Sequence, residues 1–164
     1  MYRNILIATD GSELSNEAVE HGMELAKALN AKVTALTVVM PWRDATLWEV
    51  AVTRSEEEYD TFAKERAAEC LATVIDAAKA SGVACNAVTL KHEAPWKAIV
   101  DTAGSMNCDL VVMASHGWKG IAGFVLGSET QKVLTHSSVP VLVHRLARGH
   151  TVHADNGVDA ENDS

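Results

Sequence analysis

Asp109-Leu110-Val111-Val112-Met113, then Ala114-Ser115-His116-Gly117, nine residues, and Gly127-Ser128 form the stretch on which the reading of this chain turns. An apolar run of strand length empties into a glycine loop, and the loop opens a helix. Glycine lets backbone N–H groups turn toward an anion, and a helix N-terminus adds unpaired donors and a favourable dipole. The spacing therefore suits phosphate. Ser128 reads as the N-cap, with Gln131 completing a Ser-x-x-Gln capping box ahead of Val133 and Leu134. The same glycines also suit a plain turn and cap, and the loop alone does not separate the two readings.

Working outward, four more short apolar or β-branched runs stand at Ile5–Ala8, Val33–Val39, Ala84–Leu90 and Val141–Val143, giving five strands in all. Helical periods fill the gaps. The first places Leu14, Ala18, Gly22, Leu25, Ala26 and Leu29 on one face, between Ser12 and Asn30 as caps. The second, about Ser55 to Ser81, repeats Tyr59, Phe62, Ala63, Cys70, Leu71, Val74 and Ala78, starts on Glu56-Glu57-Glu58 and stops at Gly82. The third opens on Pro95 and is expected to bury Trp96, Ile99, Val100 and Ala103; the fourth follows Ser128.

Strands apolar on both faces and alternating with helices specify an α/β fold: a doubly wound, five-stranded parallel sheet with helices on both faces. In such a sheet ligands sit beyond the carboxyl ends of the strands, where the winding reverses. With strand order 3-2-1-4-5, the loops Asp10-Gly11-Ser12 and Ala114-Ser115-His116-Gly117 flank that point and converge on one crevice. Residues 40–55, with Pro41, Trp42 and Trp48, form a longer connection that either packs on the second helix or covers the crevice.

A chain of 164 residues with 48% apolar and 22% charged residues suits one globular domain. Its net charge of −8 argues against nucleic acid or an anionic membrane surface as partner, while leaving room for one small anion in a local site. No apolar stretch approaches the roughly 20 residues of a membrane span, and Met1-Tyr2-Arg3-Asn4 leads into a strand instead of a signal-peptide core, so a cytoplasmic location is expected. Cys70, Cys85 and Cys108 are odd in number, lack CxxC spacing and read as small core residues. His92, His136 and His144 have no metal-ligand spacing with a carboxylate or thiol cluster, and no metal site is assigned. Residues 147–164 have no Phe, Trp or Tyr and carry Asp155, Asp159, Glu161 and Asp163 against Arg148 alone, which reads as a disordered acidic tail after a domain at 1–146.

Three stretches together resemble the universal stress protein family: Ile5 to Ser12, Asp109 to Ser128, and Ser138-Val139-Pro140-Val141-Leu142-Val143-His144-Arg145. The most specific part is that family's nucleotide motif of Gly, two residues, Gly, nine residues, then Gly with Ser or Thr. Gly117, Gly127 and Ser128 match it, and Ala114 replaces the first glycine. The resemblance implies an ATP-binding, stress-linked regulator that acts as a nucleotide-dependent homodimer. By position, Asp10 would lie beside ribose and adenine and the Val38 backbone would approach the adenine edge. Ala114, Ser115, His116, Gly117, Gly127 and Ser128 would surround the phosphates, with Mg²⁺ held by the phosphates themselves.

The residues leave other readings to weigh. Asp10 can cap the first helix without touching a ligand, and His116 can serve as a turn residue. Lys119 offers a mobile charge, and Trp118 a ring that closes over the site or packs elsewhere. The Gly-Lys-Ser/Thr ending of a Walker loop is missing, and Asp10-Gly11-Ser12 lacks the glycine spacing of a dinucleotide fingerprint. A hydrolase would need a nucleophile beside a base, and Ser115 and His116 are expected to diverge along an extended segment; no catalytic residue is assigned, and any ATP hydrolysis or self-phosphorylation would be slow. The main alternative is a dimeric interaction module of the same fold that binds no nucleotide. Val139 to Val143, apolar and at the sheet edge, is the expected dimer contact in either case.

Overall fold

A computed structural model describes residues 1–117 and 126–145. Trp118, Lys119 and the stretch 147–164 lie outside them. Five strands, β1 (Asn4–Ala8), β2 (Lys32–Val39), β3 (Cys85–Lys91), β4 (Leu110–Ala114) and β5 (Val141–His144), form one parallel sheet in the order β3-β2-β1-β4-β5. Between them run α1 (Glu13–Leu29), α2 (Leu47–Thr53), α3 (Glu56–Ser81), α4 (Pro95–Ser105) and α5 (Ser128–His136).

β1 sits at the centre of the sheet and carries the core on both faces. Ile5 and Ile7 turn toward Val19 and Met23 of α1 and Leu71 and Val74 of α3, while Leu6 joins Ile99 of α4 and Val133 of α5 on the other face. Ile5, Leu6 and Ile7 have no exposed surface, and each contributes about 1.5–3 kcal/mol by its burial. The two-residue period of a strand is why neighbours in the chain serve opposite cores. Asp109, just ahead of β4, fixes the strand starts by accepting from Arg3 N (2.8 Å) and Asn4 N (3.0 Å).

The helices begin and end for local reasons. Ser12 accepts from Ser15 N at 3.3 Å, and Asn30 closes α1 in the left-handed region at φ 53°. Ser55 caps α3, and Gly82 ends it at φ 70°. Pro95 occupies the first turn of α4, where its missing N–H costs nothing.

Three expectations need correction. β3 is an edge strand with most of its side chains half or fully exposed, so it is not apolar on both faces. Cys108 is buried, but Cys70 and Cys85 are only half-buried. The buried stripe of α1 runs through Val19 and Met23, with Leu25 and Leu29 at its margin; in α4, Ala98 and Thr102 are buried and Trp96 and Val100 are half-buried. The connection at 40–55 packs on the second helix, one of the two roles expected of it: a 3₁₀ turn at Trp42–Asp44 and then α2 both lie against α3, with Trp42 edge-on to Tyr59 at 5.4 Å.

Gly22 shows how tightly α1 lies on the sheet. A Cβ there would stand 2.6 Å from Ile7 Cδ1. Gly22→Val is expected to destabilise by about 1–3 kcal/mol through overpacking, read as a lowered midpoint in denaturant unfolding.

Candidate functional site

The crevice lies beyond the carboxyl ends of β1, β2 and β4. Asp10 leaves β1 and folds back on its own loop, Oδ1 accepting from Ser12 N at 3.0 Å. Gly117 comes against the other carboxylate oxygen so closely that a Cβ on Gly117 would overlap Oδ2. The loops after β1 and β4 therefore meet. Gly127 approaches from the far end of the second loop, and a Cβ on it would stand 3.3 Å from both His116 Cα and Ser115 O. Gly127 has φ −58°, an ordinary backbone value, so the requirement there is space and not a left-handed conformation.

Ser115 organises this junction. Its N–H donates to His144 O at 2.8 Å, and its carbonyl accepts both Gly127 N at 2.8 Å and Thr130 Oγ1 at 3.1 Å. Thr130 Oγ1 also lies 3.1 Å from Ala114 O. α5 is thereby fixed with its N-terminus at the end of β4. The expected capping box is absent: Gly127 is the N-cap without a side-chain bond, Ser128 is the exposed first residue of the helix, and Gln131 Nε2 reaches back to Leu126 O. The first-turn amides are consequently not taken by a serine hydroxyl. Glu129, the acidic group of that turn, accepts from Trp96 N at 2.8 Å and so spends its carboxylate on the start of α4.

Ser115 and His116 do not diverge as expected. The chain bends at Ser115, bringing Oγ to 3.2 Å from His116 Nδ1. Ala114 ends β4 opposite His144, and its methyl belongs to a small buried cluster with Leu14 and Ala18 of α1. Positive φ among the described non-glycine residues is confined to Asn30, Arg54 and Asn107, so alanine at 114 carries no backbone strain.

Val38 stands apart from this group, near the end of β2 and opposite Leu90 of β3. Lys32 N donates to Arg3 O, and Leu36 O accepts from Thr9 N. That parity turns the N–H and C=O of Val38 toward the β1 side, beyond Ala8 where β1 ends. A set of buried hydroxyls supports the same edge: Thr9 Oγ1 meets Ser15 Oγ at 3.0 Å and accepts from Gly11 N, and Thr37 Oγ1 donates to Thr9 O at 2.8 Å. Thr9, Thr37 and Thr130 were not legible as site residues, because a lone threonine at a strand or helix end carries no periodic signal.

Beside Asp10 a cavity of about 180 Å³ opens between α1 and α3, lined by Gly11, Asn16, Arg66, Cys70 and Thr73 among others. Burial pushes the Cys70 thiol up, Arg66 pulling the other way, so Cys70 rests as the neutral thiol at neutral pH.

Fold and crevice define an α/β protein whose candidate site lies at the switch point of a 3-2-1-4-5 parallel sheet. A family model described as the Universal stress protein family matches residues 1–145, and the chain belongs to that family. A universal stress protein of Methanocaldococcus jannaschii, MJ0531, is 33% identical over 144 residues, which span 87% of this chain and 82% of that protein. Among solved structures, the hypothetical protein MJ0577 is 27% identical with a TM-score of 0.73, covering 90% of this chain and 99% of its own. A universal stress protein solved in complex with cAMP is 30% identical with a TM-score of 0.66, covering 89% of this chain and 99% of its own. Among the described residues no helix is long and apolar enough to cross a membrane.

Two substitutions test this geometry by stability alone. Ala114→Gly is expected to cost about 1 kcal/mol, from lost packing on α1 and added chain freedom. Thr130→Val should cost about 1–3 kcal/mol, because two buried carbonyls lose a donor. Chemical denaturation reads both, and a neutral Thr130→Val would remove the hydroxyl from its supporting role.

Proposed function

We propose that this chain is an ATP-binding regulatory protein of the stress response that works as a nucleotide-dependent dimeric switch. The observation that carries the reading is the junction at Ser115. It aims the first turn of α5 at the crevice, while Gly117 and Gly127 let the two ends of the loop close against Asp10 and against the Ser115–His116 backbone. Backbone amides at a helix N-terminus are suited to a polyanion, and a chain of net charge −8 needs such local donors to hold one. The relative solved with cAMP supports an adenine nucleotide as the ligand class.

In this reading Asp10 accepts from a ribose hydroxyl or the base amine, and the Val38 backbone meets the adenine edge. Ser115, His116, Gly117, Gly127 and Ser128 surround the phosphates, the Ser115 and Gly127 amides staying within the junction itself, with Ala114 as the strand end that supports them. Bound ATP brings a triphosphate whose charge Mg²⁺ partly neutralises. The chain's own residues orient that triphosphate and exclude water from the strand ends. His116 Nδ1 lies within hydrogen-bond reach of Ser115 Oγ, but Ser115 is buried and bound into the clamp, which favours a positioning role over nucleophilic attack. The dimer would form through β5 and the residues before it, about Val139 to Val143, where Leu142 is exposed on the edge strand.

Calorimetric titration with Mg·ATP tests the nucleotide reading. Saturable binding by the parent chain is expected, weakened about 10- to 100-fold by Asp10→Ala through the lost charge-assisted hydrogen bond. Gly127→Val should abolish it, and Ala114→Gly should leave affinity unchanged. Failure of the parent and of Ala114→Gly to bind any adenine nucleotide would favour the nucleotide-free interaction module. For the dimer, Leu142→Asp should yield a monomer in sedimentation velocity; an unchanged sedimentation coefficient would move the contact elsewhere.

A further inference from the structure

Away from the crevice, α2 presents an apolar stripe to solvent. Leu47 is 91% exposed, Trp48 62% and Val52 50%, and Ala51 is exposed with them. The pairs 47/51 and 48/52 are each four residues apart, so these side chains form one continuous ridge about two turns long. The inner side of α2 is fixed firmly. Thr46 and Glu49 make a reciprocal capping box, Arg66 Nη1 holds Glu49 Oε1 at 3.1 Å and Thr53 is buried, while Trp48, on the outward ridge, touches α3 only at its margin, its ring 6.0 Å from that of Phe62. The Arg66 guanidinium stands 5.5 Å over the Phe62 ring and closes the contact from the α3 side. A rigidly held helix of seven residues that keeps its apolar side outward is a surface prepared for burial.

The charge around the ridge is predominantly acidic. Glu58, Phe62 and Glu65 follow one another at helical spacing on the stripe of α3 that meets Trp48, and Glu56 and Glu57 continue the acid at the end of the helix where α2 stops. Arg54 at the end of α2 and Lys64 beside Glu65 are the exposed basic side chains there, against four glutamates; the others pair elsewhere, Arg66 with Glu49, Lys91 with Asp60, and Arg43 with Asp44 and Glu93. The helix dipole accounts for Glu56, Glu57 and Glu58 in the first turn but not for Glu65 beyond it.

We propose that the outer face of α2, with the acidic edge of α3, is a docking surface for a basic amphipathic helix of a partner protein. Two turns of apolar ridge match the contact length of a crossing helix, and the glutamates meet Lys or Arg flanking its apolar positions. This proposal does not depend on whether the crevice binds nucleotide.

The test uses the full chain and a labelled synthetic helix of about 18 residues, with Leu at i, i+3, i+4 and i+7 and Lys elsewhere. Two control peptides are used, one with Glu replacing Lys and one of scrambled Leu/Lys order. Fluorescence anisotropy at physiological ionic strength should show saturable binding of the Leu/Lys helix alone. Binding should fall about tenfold or more in Leu47→Ser/Trp48→Ser, and severalfold in Glu58→Gln/Glu65→Gln, with thermal unfolding of both variants close to the parent. Equal binding of the scrambled peptide, or unchanged binding by Leu47→Ser/Trp48→Ser, would overturn the proposal. So would a drop in assembly size of Leu47→Ser/Trp48→Ser in sedimentation, which would mean that a second copy of the chain covers the ridge.

Discussion

The carbonyl of Ser115 is the atom on which the upper edge of this molecule depends. It accepts from Gly127 N and from Thr130 Oγ1, and through those bonds it brings the two ends of the segment after β4 together and sets the direction of α5. Without it, α5 would still bury Val133 against Leu6 and Val111, because that apolar contact is indifferent to a small rotation of the helix. Its N-terminus, however, would no longer point at a defined place. Hydrophobic burial holds the helix; one doubly accepting carbonyl aims it.

The same division runs through the rest of the edge. The lower and middle parts of β1, β2 and β4 are held mainly by apolar packing, with Thr34 bonded to Asn4 as the polar pair among them, whereas their carboxyl ends change to Thr9, Thr37 and Ser115, all buried. Buried hydroxyls cost stability unless their hydrogen bonds are satisfied, and among the described residues no buried side-chain nitrogen or oxygen lacks a partner. That network fixes the backbone where the regular ladder ends, placing the Asp10 loop against Gly117. Conversion of the core into an aligned crevice therefore occurs within one or two residues of each strand end.

Much of this was legible in the sequence because it rests on periodicity. Strands buried on two faces give unbroken apolar runs, and α1, α3 and α4 display their starts at Ser12, Ser55 and Pro95. Local competition decided what was not legible. A serine at a helix start reads as an N-cap, but at Ser128 the cap position is taken by Gly127, whose N–H is committed to Ser115. The Ser115–His116 contact has no signal in the sequence because it needs a bend at a strand end, where β geometry stops governing side-chain direction. α2 was missed for a different reason: its Leu47, Trp48 and Val52 face outward, opposite to the pattern by which an amphipathic helix is recognised.

Ala114 shows why a motif has to be read as geometry. A glycine in a phosphate loop is needed for a left-handed backbone, for close approach, or for neither, and a sequence pattern does not distinguish the three. At Gly117 and Gly127 the reason is approach, since the direction of an absent Cβ is filled by Asp10 in one case and by the Ser115–His116 backbone in the other. At Ala114 the corresponding direction leads to Leu14 and Ala18, on the α1 side of the sheet, and the backbone is ordinary strand. The departure from the family pattern thus falls at the motif position where the methyl belongs to the core. The residues that shape the crevice keep the small size its closeness demands.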